Sequence, residues 1–154
     1  MNLYDMVLKD GRPQLYLLRT PTSEKEYILE DCDVANVCRK EFSLDKKAEE
    51  YMYMFAVNIK GRILGAFEIA HGTVSECVAC PREFLIRLLL LGATEFVVVH
   101  NHPSEDPTPS KEDLKFTRRL ADVGNMVGIR LRDHVILGGK KHYSMWRENR
   151  ELFF

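Results

Sequence analysis

Apolar positions along this chain fall into two rhythms, and the alternation between them predicts an α/β order. The first twenty residues read as a small hairpin, with Met6-Val7-Leu8 and Leu15-Tyr16-Leu17-Leu18 flanking the turn-rich Lys9-Asp10-Gly11-Arg12-Pro13. Residues 21–30 are polar and loop-like. Asp31 or Asp33 caps a short predicted helix through Val34, Val37 and Cys38 to about Phe42. Leu44 to Glu50 is charged and reads as a linker or a last helical turn.

The main unit is predicted to begin near residue 51. Tyr53 to Ile59 reads as a strand, Lys60-Gly61-Arg62 as a tight turn, and Ile63 to Ile69 as the returning strand, broken at Gly72-Thr73. Pro81 opens a helix that is apolar at Phe84, Leu85, Leu88 and Leu89 and ends at Gly92. Phe96 to His100 is a short, buried strand, and Asn101 to Pro109 is a loop with three prolines. Ser110 to about Val123 is amphipathic, with Leu114, Thr117 and Leu120 or Ala121 on one face, and Gly124 and Gly128 close it. Ile129 to Leu137 and Tyr143 to Trp146 are further strands. This order implies an α/β sandwich with a mixed sheet, divided into an N-terminal hairpin-and-helix extension, 1–50, and a main domain, 51–154.

Composition narrows the class. A chain of 154 residues suits one domain with its own core, and 45% hydrophobic with 29% charged residues is ordinary for a globular protein. A net charge of −1 supplies no general pull toward nucleic acid or anionic membranes. No apolar run approaches the ~18 residues needed to span a bilayer. Met1-Asn-Leu-Tyr-Asp5 has neither the basic nor the apolar region of a secretory signal. Four cysteines, Cys32, Cys38, Cys77 and Cys80, in such a chain point to reduced thiols and a cytoplasmic protein.

The chemistry is concentrated after the apolar run Val97-Val98-Val99. His100-Asn101-His102 sits at a strand end, where side chains alternate with period 2, so both imidazoles point the same way. Ser110-Lys-Glu-Asp113 opens a helix, and residues three apart share a face. Two neutral imidazoles and one carboxylate form a three-ligand set for one catalytic zinc ion per chain, with a fourth position left for water. Glu68, on the preceding strand, is the candidate general base, and Ser110 the candidate hydrogen-bond donor to a tetrahedral oxyanion.

Each assignment has a plainer competitor. Ser110 and Asp113 also fit a capping box, and a metal-bound Asp113 is not expected to cap fully. A single strand Glu such as Glu68 by default faces solvent. Cys77-x-x-Cys80 lacks the two further ligands of a zinc site and reads as free thiols. His71 reads as a surface residue, His142 as part of an exposed loop, and the Asp133-His134 pair as a strand buttress rather than a ligand.

Glu68, His100-x-His102 and Ser110-x-x-Asp113, with seven residues between His102 and Ser110, resemble the JAMM metallopeptidase motif. The wider text resembles the RadC-like branch of the JAB/MPN superfamily over roughly residues 30–150, through Gly72-Thr73, Pro81-Arg82-Glu83, His100-Asn-His-Pro-Ser104, Asp106-Pro-Thr-Pro-Ser110, Asp113, Thr117, Asp133-His134 and Tyr143-Ser144. The resemblance implies a three-layer α/β/α, cytidine-deaminase-like fold. It also implies zinc on His100, His102 and Asp113, Glu68 as base and Ser110 as oxyanion support. Superfamily relatives hydrolyse peptide or isopeptide bonds, whereas the RadC-like branch carries a DNA-repair label. Longer RadC-like proteins have an N-terminal helical module that the ~50 residues before the core are too few to supply, as in short versions carried by mobile elements. One departure is Glu105, where the family usually has Gly. The substitution is expected to reshape the loop and to bring negative charge to the metal mouth. Three consequences stay open: a raised pKa for bound water, selection of a cationic substrate, or occlusion of the open position.

The expected activity is therefore zinc-dependent hydrolysis of an amide bond in a peptide or protein substrate. A DNA-associated role and a non-catalytic MPN interaction module are the alternatives. No dense basic stripe supports nucleic acid, since Lys and Arg number 22 against 23 acids. No membrane partner is expected. The hairpin edge at residues 1–20 could pair with a second copy of the chain as a homodimer.

Overall fold

The computed structural model describes residues 1–20, 26–72 and 80–154. Strands β1 (Leu3–Lys9) and β2 (Arg12–Arg19) form the antiparallel hairpin expected from their turn, with Asp10 and Gly11 both at positive φ. Helix α1 (Asp31–Phe42) follows, then a 3-10 turn at Leu44–Lys46. Strands β3 (Glu50–Val57) and β4 (Ile63–Gly72), helix α2 (Pro81–Leu91), strand β5 (Glu95–Asn101) and helix α3 (Lys111–Met126) carry the middle of the chain. Strands β6 (Arg130–Gly138) and β7 (Lys141–Ser144), the short helix α4 (Met145–Glu148) and a 3-10 turn at Arg150–Phe153 complete it.

The seven strands form one mixed sheet in the order β2-β1-β4-β3-β5-β6-β7. β5 pairs antiparallel with β3 and parallel with β6. The hairpin joins the rest through a single parallel pair, Leu3 opposite Ala66, and Gly65 admits the ring of Tyr4, which would lie 2.8 Å from an added Cβ.

Period-2 alternation splits the core between the two faces of the sheet. Tyr53, Phe55 and Val57 of β3, with Val97 and Val99 of β5, pack beneath Val34, Val37, Cys38 and Phe42 of α1. Met52, Met54 and Ala56, with Phe96 and Val98, pack beneath Phe84 and Leu88 of α2 and Leu120 and Ala121 of α3. Every residue of β5 is buried, as a strand covered by helices on both faces must be.

Several boundaries differ from the sequence reading. Ile28 lies in the core, and its amide donates to Gly61 O, so the end of the segment read as loop is pinned to the β3–β4 turn. Leu44 is fully buried and opens a 3-10 turn, so of the two expectations for that stretch the helical turn holds rather than the linker. Asn101 is still strand and buried: its Oδ1 accepts from Tyr51 N, and its amide donates to Glu49 O. α3 does not stop at Gly124 but runs through it. A Cβ there would stand 2.4 Å from Ile129 O, so this glycine serves the close approach of α3 to the strand that follows. Met145 and Trp146 belong to α4, which the Ser144 hydroxyl caps by accepting from Arg147 N. His142 lies on β7, where its Nε2 is 3.2 Å from Asp31 Oδ2, not in an exposed loop. Thr73 and Cys77 fall outside the described residues.

Candidate metal centre

β5 delivers the first ligand. His100 has the parity of Phe96 and Val98, so it points to the face that α2 and α3 cover, and it is fully buried. His102 follows just past the strand end, held by its amide donating to Leu137 O at 2.8 Å. Asp113 reaches the same point from the first turn of α3. The ligand atoms of His100, His102 and Asp113 all lie within 4.8 Å of one another. His100 Nε2 and His102 Nε2 are 3.0 Å apart, and the nearest Asp113 oxygens stand 3.3 and 3.5 Å from them.

The capping box commits one oxygen of the Asp113 carboxylate and leaves the other for the imidazoles. Oδ2 accepts from Ser110 N at 2.8 Å and from Ser110 Oγ at 2.6 Å, while Ser110 Oγ accepts from Asp113 N, a complete capping box. Oδ1 is left facing His100. Burial alone would raise the Asp113 pKa, but the facing imidazoles of His100 and His102 and the Ser110 hydrogen bond outweigh it and hold the carboxyl well below the usual range. Ser110 thus spends both its amide and its hydroxyl on Asp113.

The proton positions on both imidazoles follow from acceptors that cannot donate. His102 Nδ1 is 2.9 Å from the carbonyl of Asp106, so Nδ1 carries the hydrogen and Nε2 presents a lone pair. Behind His100 lies a buried chain. Thr117 Oγ1 donates its one hydrogen to the Asp113 carbonyl at 2.7 Å. Its contact with His134 Nδ1, also 2.7 Å, must therefore run from Nδ1–H to the hydroxyl oxygen. That leaves His134 Nε2 as an acceptor, and His100 Nδ1 donates to it at 2.8 Å. His100 Nε2 is then bare as well. Two lone pairs and a carboxylate converge with no donor among them, a set that a metal cation or an added proton satisfies. This donor set suits a divalent metal ion. In the metal-free protein a proton serves instead: hydrogen bonding with Asp113, against burial, raises the pKa of His102.

His134 is buried without a charged partner of its own, and burial pushes its pKa well below the ordinary value, which keeps it neutral. The expected Asp133 buttress is present. Asp133 accepts from Ser144 Oγ, Trp146 N and His134 N, tying β6 to β7 and α4, although burial still raises its pKa.

Glu68 is not brought to the trio. Its neighbours Phe67 and Ile69 pack into the α2/α3 core, so Glu68 points to the other side, where it accepts from Tyr53 Oη at 2.9 Å and sits 3.3 Å from His71 Nδ1. Its side chain is 41% exposed. Tyr53 in turn stacks on Phe42 of α1, which fixes that side as the α1 face. His71 is exposed, as expected, and stacks on Tyr51.

The carboxylate on the metal face is Glu50, which sequence reading passed over. It has the parity of Met52, and Met52 pairs with His100 across β3 and β5, so Glu50 stands beside the start of the His102 loop. Its charge contributes to the field that raises His102. Glu50 Oε2 is buried and has no hydrogen-bond partner among the described residues. The clue was present as parity counted back from Met52, obscured because residues 44–50 read as a charged linker.

Glu105 adopts φ +62°, the left-handed conformation that favours glycine. Its side chain lies along Gly139, 3.5 Å from where a Cβ would stand, and so along the β6–β7 turn. Gly138 is packed directly beneath the same loop: an added Cβ would meet Pro107 N at 2.5 Å and Glu105 O at 2.6 Å.

Comparison with known proteins agrees with this geometry. The RadC-like JAB domain family model matches residues 28–151. The UPF0758 protein YsxA of Bacillus subtilis is 32% identical over 145 residues, covering 94% of this chain and 58% of that protein. UPF0758 proteins of Caldanaerobacter subterraneus and Bacillus velezensis are 36% identical over 113 residues and 33% identical over 129. They are covered over 48% and 51% of their length and cover 73% and 84% of this chain, so the chain spans about half the length of such relatives. No helix among the described residues is long and apolar enough to cross a membrane. With its candidate metal-ligand trio and strands β3 to β7 inside the matched span, this chain belongs to the RadC-like JAB domain family.

Proposed function

We propose that this chain is a zinc-dependent hydrolase of the JAMM type that cleaves a peptide or isopeptide bond. The observation that carries the reading is the convergence of His100, His102 and Asp113, with the outer ring nitrogens of both histidines already engaged by other partners. These three residues would hold one zinc ion. Zinc supplies Lewis-acid polarisation and brings the pKa of a water toward about 7. Helices on both faces of the sheet favour the three-layer, cytidine-deaminase-like arrangement, in which the catalytic domain takes in α1 and Glu50 and the β1–β2 hairpin is the extension.

Glu50 takes the general-base role that the resemblance implies for Glu68. Its unpartnered carboxylate oxygen accepts a proton from the attacking water, whose oxygen bonds to the scissile carbonyl carbon. The same carboxylate returns the proton to the leaving nitrogen as the C–N bond breaks. Ser110, at the N-terminus of α3, keeps hold of Asp113 through its amide while its hydroxyl hydrogen moves from Asp113 to the carbonyl oxygen as negative charge develops there, where the helix dipole also favours it. Glu68 holds Tyr53 and His71 and takes no part in proton transfer.

The substrate is a peptide or protein, the setting cytoplasmic, and the free edge of β2 the place where a second copy could pair. The test is turnover of internally quenched peptides and an isopeptide-linked conjugate by zinc-loaded protein, beside Glu50→Gln. Hydrolysis that falls at least ~100-fold in the variant while zinc is retained supports the reading. Absence of hydrolysis with zinc bound points instead to a non-catalytic module. Salt-dependent DNA binding would favour the repair-associated alternative.

A further inference from the structure

We propose that Thr117 and His134 are positioning residues for His100, forming a one-way hydrogen-bond chain that locks its tautomer and so sets the metal affinity of the site. The inference rests on the metal-site reading above, but its structural content is independent of any metal.

The chain runs from His100 Nδ1–H to His134 Nε2, from His134 Nδ1–H to Thr117 Oγ1, and from the Thr117 hydroxyl to the Asp113 carbonyl, at 2.8, 2.7 and 2.7 Å. Its direction is set at one end only. A carbonyl cannot donate, so the single hydrogen of Thr117 is committed, and each link upstream follows. Reversing the tautomer of His100 would place a hydrogen on Nε2, aimed at His102, and leave His134 Nε2 facing a second lone pair. All three members are buried at 0%, so no water competes for the links. The chain ends on the backbone of Asp113, another ligand of the trio. One threonine therefore couples the orientation of a strand ligand to the first turn of the helix that carries the carboxylate.

This arrangement also explains why His134, an imidazole next to the site, is not itself a ligand. Both its nitrogens are already engaged, one as donor and one as acceptor. Partners behind a ligating histidine typically contribute 10- to 100-fold in metal affinity.

The experiment has two parts. The first is long-range 1H–15N NMR of the histidine rings in the metal-free full chain at neutral pH, which reads tautomers directly. We expect His100 and His134 both to carry hydrogen on Nδ1. His100 found with hydrogen on Nε2 would overturn the proposal, whether or not zinc binds. The second is zinc affinity by competition with a chromophoric chelator, for wild type, Thr117→Val and Thr117→Ser, with the thermal midpoint of each metal-free protein recorded alongside. We expect Thr117→Val to weaken zinc about 10- to 100-fold and Thr117→Ser to restore it. A purely structural role would lower the midpoint of Thr117→Val and leave zinc affinity unchanged, which would also overturn the proposal. Failure of the wild type to bind zinc would sink the hydrolase reading, while the tautomer measurement would still decide the chain.

Discussion

At the scale of single residues, the two carboxylates Glu50 and Glu68 differ by one geometric fact, the face of the sheet on which each lies. Glu50→Gln should retain zinc and lose hydrolysis, whereas Glu68→Gln should leave turnover within a few-fold of wild type; steady-state rates beside metal content decide. The reverse ranking would return the base role to Glu68. Glu105 gives a second residue-scale prediction. Its φ of +62° costs about 1–2 kcal/mol, partly offset by the chain entropy a glycine loses on folding. Glu105→Gly should therefore raise stability by up to ~1 kcal/mol in chemical denaturation. Because Glu105 lies along Gly139, zinc stoichiometry should not change.

His102 carries the pH dependence. Its pKa in the metal-free protein is raised, chiefly by Asp113. The protonated form therefore stabilises the metal-free fold below the unfolded value near 6.5, and that contribution is lost as pH rises through the folded value. Zinc must displace this proton. Its affinity should fall as pH drops below the raised pKa, by about tenfold per pH unit for one proton released. Zinc titrations at several pH values read the slope directly. A flat profile across that range would remove His102 from the ligand set.

Among the elements, α3 and the loop before it do most to assemble the site. Ser110→Ala removes the cap and the hydrogen bond that holds Asp113. It should cost about 1 kcal/mol of stability and weaken zinc as well. Unchanged zinc affinity would limit Ser110 to capping. Most elements were legible in sequence because their apolar periods were long and cleanly bounded, as with Pro81 to Gly92 for α2. Where the reading slipped, tertiary packing had overridden local grammar. Gly124 looks like a helix stop, yet it lies within α3 because Ile129 passes too close for any side chain. Met145 and Trp146 look like strand, yet the Ser144 and Asp133 bonds turn them into α4.

For the molecule as a whole, the sheet brings together groups that are far apart in sequence. The three candidate ligands could be grouped from sequence because they sit within 14 positions, from His100 to Asp113, on one strand end and one helix start. Glu50 and His134 were not, since each reaches the site through strand neighbours: β3 beside β5, and β5 beside β6. The Asp133-His134 pair was correctly read as a buttress, but its contact with His100 needs the parallel register that sets Val98 opposite His134. Both faces of β5 must stay packed for that register to hold, so the site's precision rests on the two cores as well as on the loop.

The most direct measurement is elemental analysis of metal in untagged protein, beside Asp113→Ala. The account predicts about one zinc per chain in the wild type and its loss in the variant, with the fold intact by circular dichroism. Folded wild type that takes up no zinc even after incubation with it would contradict the central claim.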